Sequence, residues 1–203
     1  LGKSAFASAL AHSLLCERLA PTGEPCGRCR SCHLVAAGTH PDLERIRPEE
    51  EGKPIKVDVI RSLCERSSLT TQLGGRKVAI LEPADAMNVA AANSLLKTLE
   101  EPSPSTILLL VTAVPHLLPA TVRSRCQRID FPPPDACEAV EWLRGQLDGG
   151  DAALALRLAG GSPLAALTGA DARLMAERSR CLDELVAVAE GREDPVRIAE
   201  GWL

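Results

Sequence analysis

The chain has 203 residues, 45% hydrophobic and 25% charged, with a net charge of −4, a balance that suits a soluble, globular, intracellular protein. It holds no apolar run of the ~18 residues needed to cross a membrane. Aromatic residues make up only 2% of it, so with its acidic balance the chain alone is poorly equipped to stack bases or neutralise phosphates, and any role on DNA requires partners.

The sequence opens on Leu1-Gly2-Lys3-Ser4. This is the tail of G-x-x-x-x-G-K-[ST], whose backbone amides and lysine cradle phosphates at a helix N-terminus. The first glycine of that motif is not in the sequence, which reads as a fragment or as a chain whose start was lost. A bare Gly-Lys-Ser is a weak signal. The alanine- and leucine-rich stretch 5–15 that follows has no proline or glycine and predicts the helix the motif requires.

Directly after that helix come Cys16, Cys26, Cys29 and Cys32, in a C-x9-C-x2-C-x2-C pattern. Two-residue knuckles bring pairs of thiolates to one ion, as tetrahedral Zn²⁺ requires. The competing readings are disulfides and buried free thiols. Loops as short as those joining Cys26, Cys29 and Cys32 strain a disulfide. The remaining cysteines, Cys64, Cys126, Cys137 and Cys181, are scattered and read as free thiols, which fits a reducing cytoplasm. Four protein ligands leave no position for a catalytic water, so the expected zinc is structural. Cys16 lies farthest from the others in sequence, and His33 or His40 is an alternative fourth ligand.

Beyond the knuckle, strands and helices alternate. Thr39-His40-Pro41-Asp42 turns into a short strand at 43–47. A polar loop at 48–54 leads to a helix beginning near Val57 and running through Cys64. Gly74-Gly75 turns the chain into a strand at 77–81. A long helix at 84–101, with Asp85 or Asn88 as its N-cap, stops at Pro102. The run ILLLVT at 107–112 reads as a strand buried on both faces of a parallel sheet. The expected fold class is α/β. Phe131-Pro132-Pro133-Pro134 is a linker, since three prolines stop helix and sheet alike. After it only helices are predicted, at 135–147, 151–158, 163–167 and 172–190.

Four stretches together resemble the delta-prime family of bacterial DNA polymerase III clamp-loader subunits, relatives of gamma/tau in the AAA+ class. They are CGRCRSCHLVAAGTHPDL at 26–43, ANSLLKTLEEP at 92–102, LPATVRSRC at 118–126 and GGSP at 160–163. The resemblance spans about Gly2 to Leu167. It implies a P-loop AAA+ parallel-sheet domain at 1–131 with a zinc module at 16–33, a small helical lid at 135–170, and the start of a C-terminal helical oligomerisation domain at 171–203. It implies partners too: gamma/tau and delta subunits in a hetero-oligomer, with the sliding clamp and primed DNA reached through the complex, and a cytoplasmic location without a membrane.

Departures from the active ATPase pattern separate the subunits. In a working motor the strand at 77–81 ends in Asp-Glu, for Mg²⁺ and for the attacking water. Here the pair is Glu82-Pro83, and Pro83 cannot act as a base. Leu164 stands where the ATPase relatives carry an arginine that touches the γ-phosphate. Thr112 keeps the sensor position, with Ala113 after it. Gly2, Lys3 and Ser4 leave residual ATP or ADP binding open, while hydrolysis is not expected. Arg125, in Ser124-Arg125-Cys126, matches the family's arginine finger, a guanidinium that reaches a neighbour's γ-phosphate. The resemblance therefore implies a non-hydrolysing clamp-loader subunit that serves catalysis in trans, within an assembly that is itself a DNA-directed DNA polymerase, a nucleotidyltransferase. Two readings compete with it. An active gamma/tau-type ATPase is opposed by Pro83 and Leu164. A zinc-bearing DNA-binding module is opposed by the acidic charge and scarce aromatics.

Overall fold

A computed structural model of the chain describes residues 2–50, 52–147, 151–169 and 172–202. Of the positions named from the sequence, Leu1, Glu51, Leu203 and the 170–171 boundary lie outside them. The chain divides into two compact units, with the boundary in the sequence between Asp130 and Phe131.

The first unit is a three-layer α/β sandwich. Helix α1 (Lys3–Leu15) and the short α2 (Arg30–Ala36) precede strand β1 (Leu43–Ile46). Then follow α3 (Val57–Ser68), β2 (Lys77–Leu81), α4 (Val89–Glu100), β3 (Thr106–Leu110) and the four-residue α5 (Ala120–Arg123). The sheet is parallel in the order β1-β2-β3. Parallel strands need helical crossovers, which cover both faces. The central strand shows the consequence, since side chains alternate across a sheet. Val78 and Ile80 point to the face covered by α1, with Ala7, Ala11 and Leu15. Ala79 and Leu81 point the other way, against Ile60 and Leu63 of α3 and Leu95 of α4.

Two polar devices brace this unit. The buried Asp42 carboxylate accepts the Gln72 N–H at 2.9 and 3.1 Å and the Leu73 N–H at 3.0 Å, fixing the loop that leads into β2. Lys77 Nζ donates to the Arg66 and Leu69 carbonyls at 2.7 and 3.1 Å, and Thr106 Oγ1 donates to Ser67 O at 2.9 Å. Those carbonyls lie at the C-terminus of α3, where Arg66 O also accepts the Leu69 N–H at 3.2 Å, and a cation there suits the helix dipole.

Several predicted elements shift. The helix expected at 84–101 begins only at Val89, after a 3₁₀ turn at Ala84–Ala86. Asn88 is its N-cap, accepting the Ala91 N–H at 2.8 Å, whereas Asp85 accepts the Thr112 hydroxyl instead. β3 starts one residue early and is only half-buried along most of its length, because it lies at the sheet edge. Helix α2 had no sequence signal clear enough to predict it.

Leu95, fully buried between α4 and the sheet, tests this core. Leu95→Ala is expected to lower unfolding free energy by about 2–5 kcal/mol in urea titrations, from lost transfer energy and the cavity left behind. A loss below ~1 kcal/mol would mean that this layer is not close-packed.

The second unit is helical. Asp135 caps α6 (Ala136–Arg144) and Asp151 caps α7 (Ala152–Leu158), each through two N–H···O contacts. Ser162 accepts the Ala165 N–H at the start of α8 (Pro163–Gly169). Their small shared core is alanine-rich, with Leu143 and Leu156 as its largest buried members. α9 (Ala172–Ala189) and α10 (Pro195–Trp202) follow, carrying the exposed Leu182, Leu185 and Val196. α10 was not predicted. Among the described residues, no helix is long and apolar enough to cross a membrane.

Candidate functional site

Three features of the first unit carry chemistry. One is the cysteine cluster. Cys16 ends α1, Cys26 lies in the connecting loop, Cys29 is the N-cap of α2 and Cys32 sits in its first turn. The ligand atoms of all four lie within 4.8 Å of one another, with Cys26 Sγ and Cys32 Sγ 3.9 Å apart. Backbone amides point at the sulfurs. Cys26 N–H donates to Cys16 Sγ and Cys32 N–H to Cys29 Sγ, each at 3.3 Å. The arrangement can hold a metal ion, and Cys16 is the fourth member.

The thiols are electrostatically unlike. Cys26 is lowered to about 6, chiefly by a hydrogen bond with the Arg28 backbone. At Cys29 burial raises the pKa, but hydrogen bonds to the Cys32 and Glu17 backbones outweigh it and the net shift is downward. Burial pushes Cys32 up to about 12.

Neither alternative histidine joins the cluster. His33 is exposed. His40 is buried and committed elsewhere. Its Nδ1 accepts the Asp42 N–H at 3.1 Å, so its Nε2–H donates to Ser31 Oγ at 2.7 Å, and Ser31 in turn donates to the Leu15 carbonyl at 2.5 Å. Burial holds the His40 pKa below its ordinary value, against the pull of the Asp42 charge. The Glu17 carboxylate accepts the Ser31 N–H at 3.2 Å. Thus Ser31, lying between two of the cysteines, ties the knuckle to the end of α1 and the start of β1. These supporting residues carry no sequence signal beyond their place in the motif.

The second feature is the N-terminus of α1. Gly2 has φ +71°, the left-handed region that suits glycine, and Lys3 opens the helix with no ion pair or hydrogen bond among the described residues. Ser4 Oγ donates to Glu82 at the end of β2, and Arg47, just after β1, donates to the other Glu82 oxygen at 2.9 Å. Burial raises the Glu82 pKa, but the Ser4 and Arg47 hydrogen bonds outweigh it and hold the carboxyl below its ordinary value. Arg45 Nη1 donates to Ser8 Oγ at 3.0 Å, adding a second guanidinium against α1. Neither arginine stood out in the sequence. The Glu82-Pro83 turn leads into the 3₁₀ turn. Thr112 is consumed locally, donating to Asp85 and accepting the Val114 N–H at 2.9 Å.

The third feature is Arg125, just past α5. Its Nε donates to Glu100 at 2.9 Å, its Nη2 lies 2.5 Å from the same oxygen, and its Nη1 donates to the Thr121 carbonyl at 2.9 Å. The side chain is 34% exposed. The neighbouring Arg128 pairs with Asp130 at 2.6 Å.

With this geometry in view, similarity to known proteins is decisive. The family described as DNA polymerase III, delta subunit, matches residues 1–135. The delta-prime subunit of DNA polymerase III from Pseudomonas aeruginosa is 44% identical over 205 residues, covering 100% of this chain and 62% of that protein. The chain belongs to the DNA polymerase III delta-prime family. The Escherichia coli delta-prime subunit is 44% identical over 170 residues, covering 82% of this chain and 50% of its own length. This chain therefore spans about half to three-fifths of the length of these two relatives. A crystal structure of a gamma subunit-related protein of DNA polymerase III from Thermotoga maritima superimposes with a TM-score of 0.51 at 30% identity, over 63% of this chain and 42% of that one. The parallel sheet, its covering helices and this likeness agree with an AAA+ fold. In delta-prime terms, the Cys cluster, the Gly2-Lys3-Ser4 tail and Ser124-Arg125-Cys126 all fall within the matched residues, and Leu164 falls beyond them.

Proposed function

We propose that the protein carrying this chain is a non-hydrolysing subunit of the DNA polymerase III clamp loader. It assembles with gamma/tau and delta subunits in the cytoplasm and assists ATP-driven loading of the sliding clamp on primed DNA. The polymerase chemistry, nucleotidyl transfer, belongs to the holoenzyme it serves.

The observation that carries this reading is the state of the β2 terminus. Glu82 is tied to Ser4 and Arg47, and Pro83 stands where a general base would polarise water. Loss of a base and of a sensor group each costs typically about 10²–10⁴-fold in rate. The committed hydroxyl of Thr112 and the exposed Leu164 add to that loss. What the chain keeps is Arg125, read as a finger acting in trans on a neighbour's γ-phosphate. Gly2, Lys3 and Ser4 form a residual phosphate cradle for ATP or ADP.

Zn²⁺ is the metal we assign to Cys16, Cys26, Cys29 and Cys32. A tetrahedral ion with Zn–S bonds of ~2.3 Å needs sulfurs ~3.8 Å apart, and the Cys26–Cys32 separation of 3.9 Å supports it. All four ligands come from protein, so its role is structural. In domain terms we read 1–131 as the AAA+ domain with zinc module 16–33, 135–170 as the lid and 171–203 as the start of an oligomerisation domain.

Steady-state ATPase assays on the purified protein test the reading. Turnover is expected at background. Pro83→Glu alone is not expected to restore it, because Leu164 remains and Arg47 still holds Glu82. Turnover abolished by Lys3→Ala would establish an active motor instead.

A further inference from the structure

A P-loop site ordinarily holds Mg²⁺ between its Ser/Thr hydroxyl and an acidic side chain at the end of a neighbouring strand. The corresponding pair here is Ser4 and Glu82, and the two do meet. They do not fit a divalent ion. One Glu82 oxygen accepts from Ser4 and the other from Arg47 at 2.9 Å. Mg²⁺ demands near-octahedral oxygen ligation at ~2.0–2.1 Å, so to bind here it must first displace a guanidinium from the carboxylate. We propose that Arg47 takes the place of the divalent cation at this edge, so that the site binds nucleotide phosphate without metal. The inference rests on the reading of Gly2, Lys3 and Ser4 as a phosphate cradle.

The backbone sets this arrangement. Ile46 lies in register with Leu81, and Glu82 N–H donates to the Ile46 carbonyl at 3.0 Å. Arg47 therefore leaves β1 beside Glu82, at the carboxyl end of the parallel strands, where open α/β sheets take ligands. Its side chain is 62% exposed and spends one hydrogen bond on Glu82. A guanidinium carries five N–H donors in a planar fork, so most remain available. It stays charged at every relevant pH and can meet phosphate oxygens two at a time. Arg45 and Lys3, whose side chain has no ion-pair partner among the described residues, add two cations beside the Glu82 carboxylate.

The test is a titration of the full-length protein with a fluorescent ATP analogue, in excess Mg²⁺ and again in EDTA. Wild type is expected to give dissociation constants agreeing within about twofold in the two buffers. Arg47→Ala frees the second Glu82 oxygen, and its binding is expected to become about tenfold or more tighter with Mg²⁺ than with EDTA. Because Arg47 is exposed, its truncation leaves the fold intact. Wild-type binding tightened about tenfold by Mg²⁺ would overturn the role of Arg47 while leaving the phosphate cradle standing. Arg47→Ala binding that stays indifferent to metal would overturn it as well. No binding by either protein in either buffer would remove the cradle itself and the inference with it.

Discussion

Arg125→Ala, on the trans-acting finger role proposed for it, is expected to abolish ATP hydrolysis at the one neighbouring site that role serves in the reconstituted clamp loader. An arginine finger contributes about 10³–10⁵ in rate where it has been removed. Total clamp- and DNA-stimulated ATPase is expected to fall only partly, since other sites keep their own fingers, while the clamp-loading rate falls with the lost site. The fold is expected to survive. In the free chain Arg125 is held by Glu100 and the Thr121 carbonyl, and a pair this exposed is worth about 0–1 kcal/mol. Urea unfolding of the variant should therefore match wild type within that margin. Arg125→Lys is not expected to rescue hydrolysis, because an ammonium cannot reproduce the planar two-pronged contact. Wild-type ATPase and loading rates with Arg125→Ala would make Ser124-Arg125-Cys126 a structural element, its arginine serving Glu100 alone.

Removing the metal is expected to have the largest effect on stability. Metal analysis of the purified protein should give close to one zinc per chain. Cys29→Ser removes both a ligand and the sulfur that accepts the Cys32 N–H at the start of α2. Zinc content should collapse. The melting temperature should fall by about 5–15 °C, the shift that ~2–5 kcal/mol produces in a chain this long. The damage should be local at first. Hydrogen exchange is expected to rise across the knuckle and α2 while the amides of β2 stay protected, because Ser31, His40 and Glu17 anchor only one side of the module. Full zinc content together with an unchanged melting temperature in Cys29→Ser would sink the assignment.

Much of this was legible in local patterns. The cysteine spacing marked the cluster, and the run at 77–81 marked β2 to the residue, because burial of Val78 to Leu81 on both faces leaves only its first position, Lys77, polar. The start of α4 was harder. Asp85 and Asn88 are both good caps, and the choice was made by Thr112, 27 residues away, which claims Asp85. The fourth position of the cluster also stayed open in the sequence, where Cys16, His33 and His40 were all candidates. Burial of His40 in its chain of hydrogen bonds with Ser31 and Asp42 closed it. Arg47 and Glu100 carried no signal, since a charged residue on a loop or helix end is most often only solvated.

The sequence by itself determined the α/β class, the knuckle of Cys26, Cys29 and Cys32, the family resemblance and the Glu82-Pro83 departure, because each depends on residue type at short spacing. Only the tertiary structure decided which charges meet. The parallel register of β1 on β2 sets Arg47 against Glu82, and the packing of α5 on α4 sets Arg125 against Glu100. Such pairs join residues 25 or more apart in the chain. Their meeting is fixed by backbone pairing and helix packing rather than by any preference of the side chains for each other, since exposed ion pairs are too weak to direct a fold.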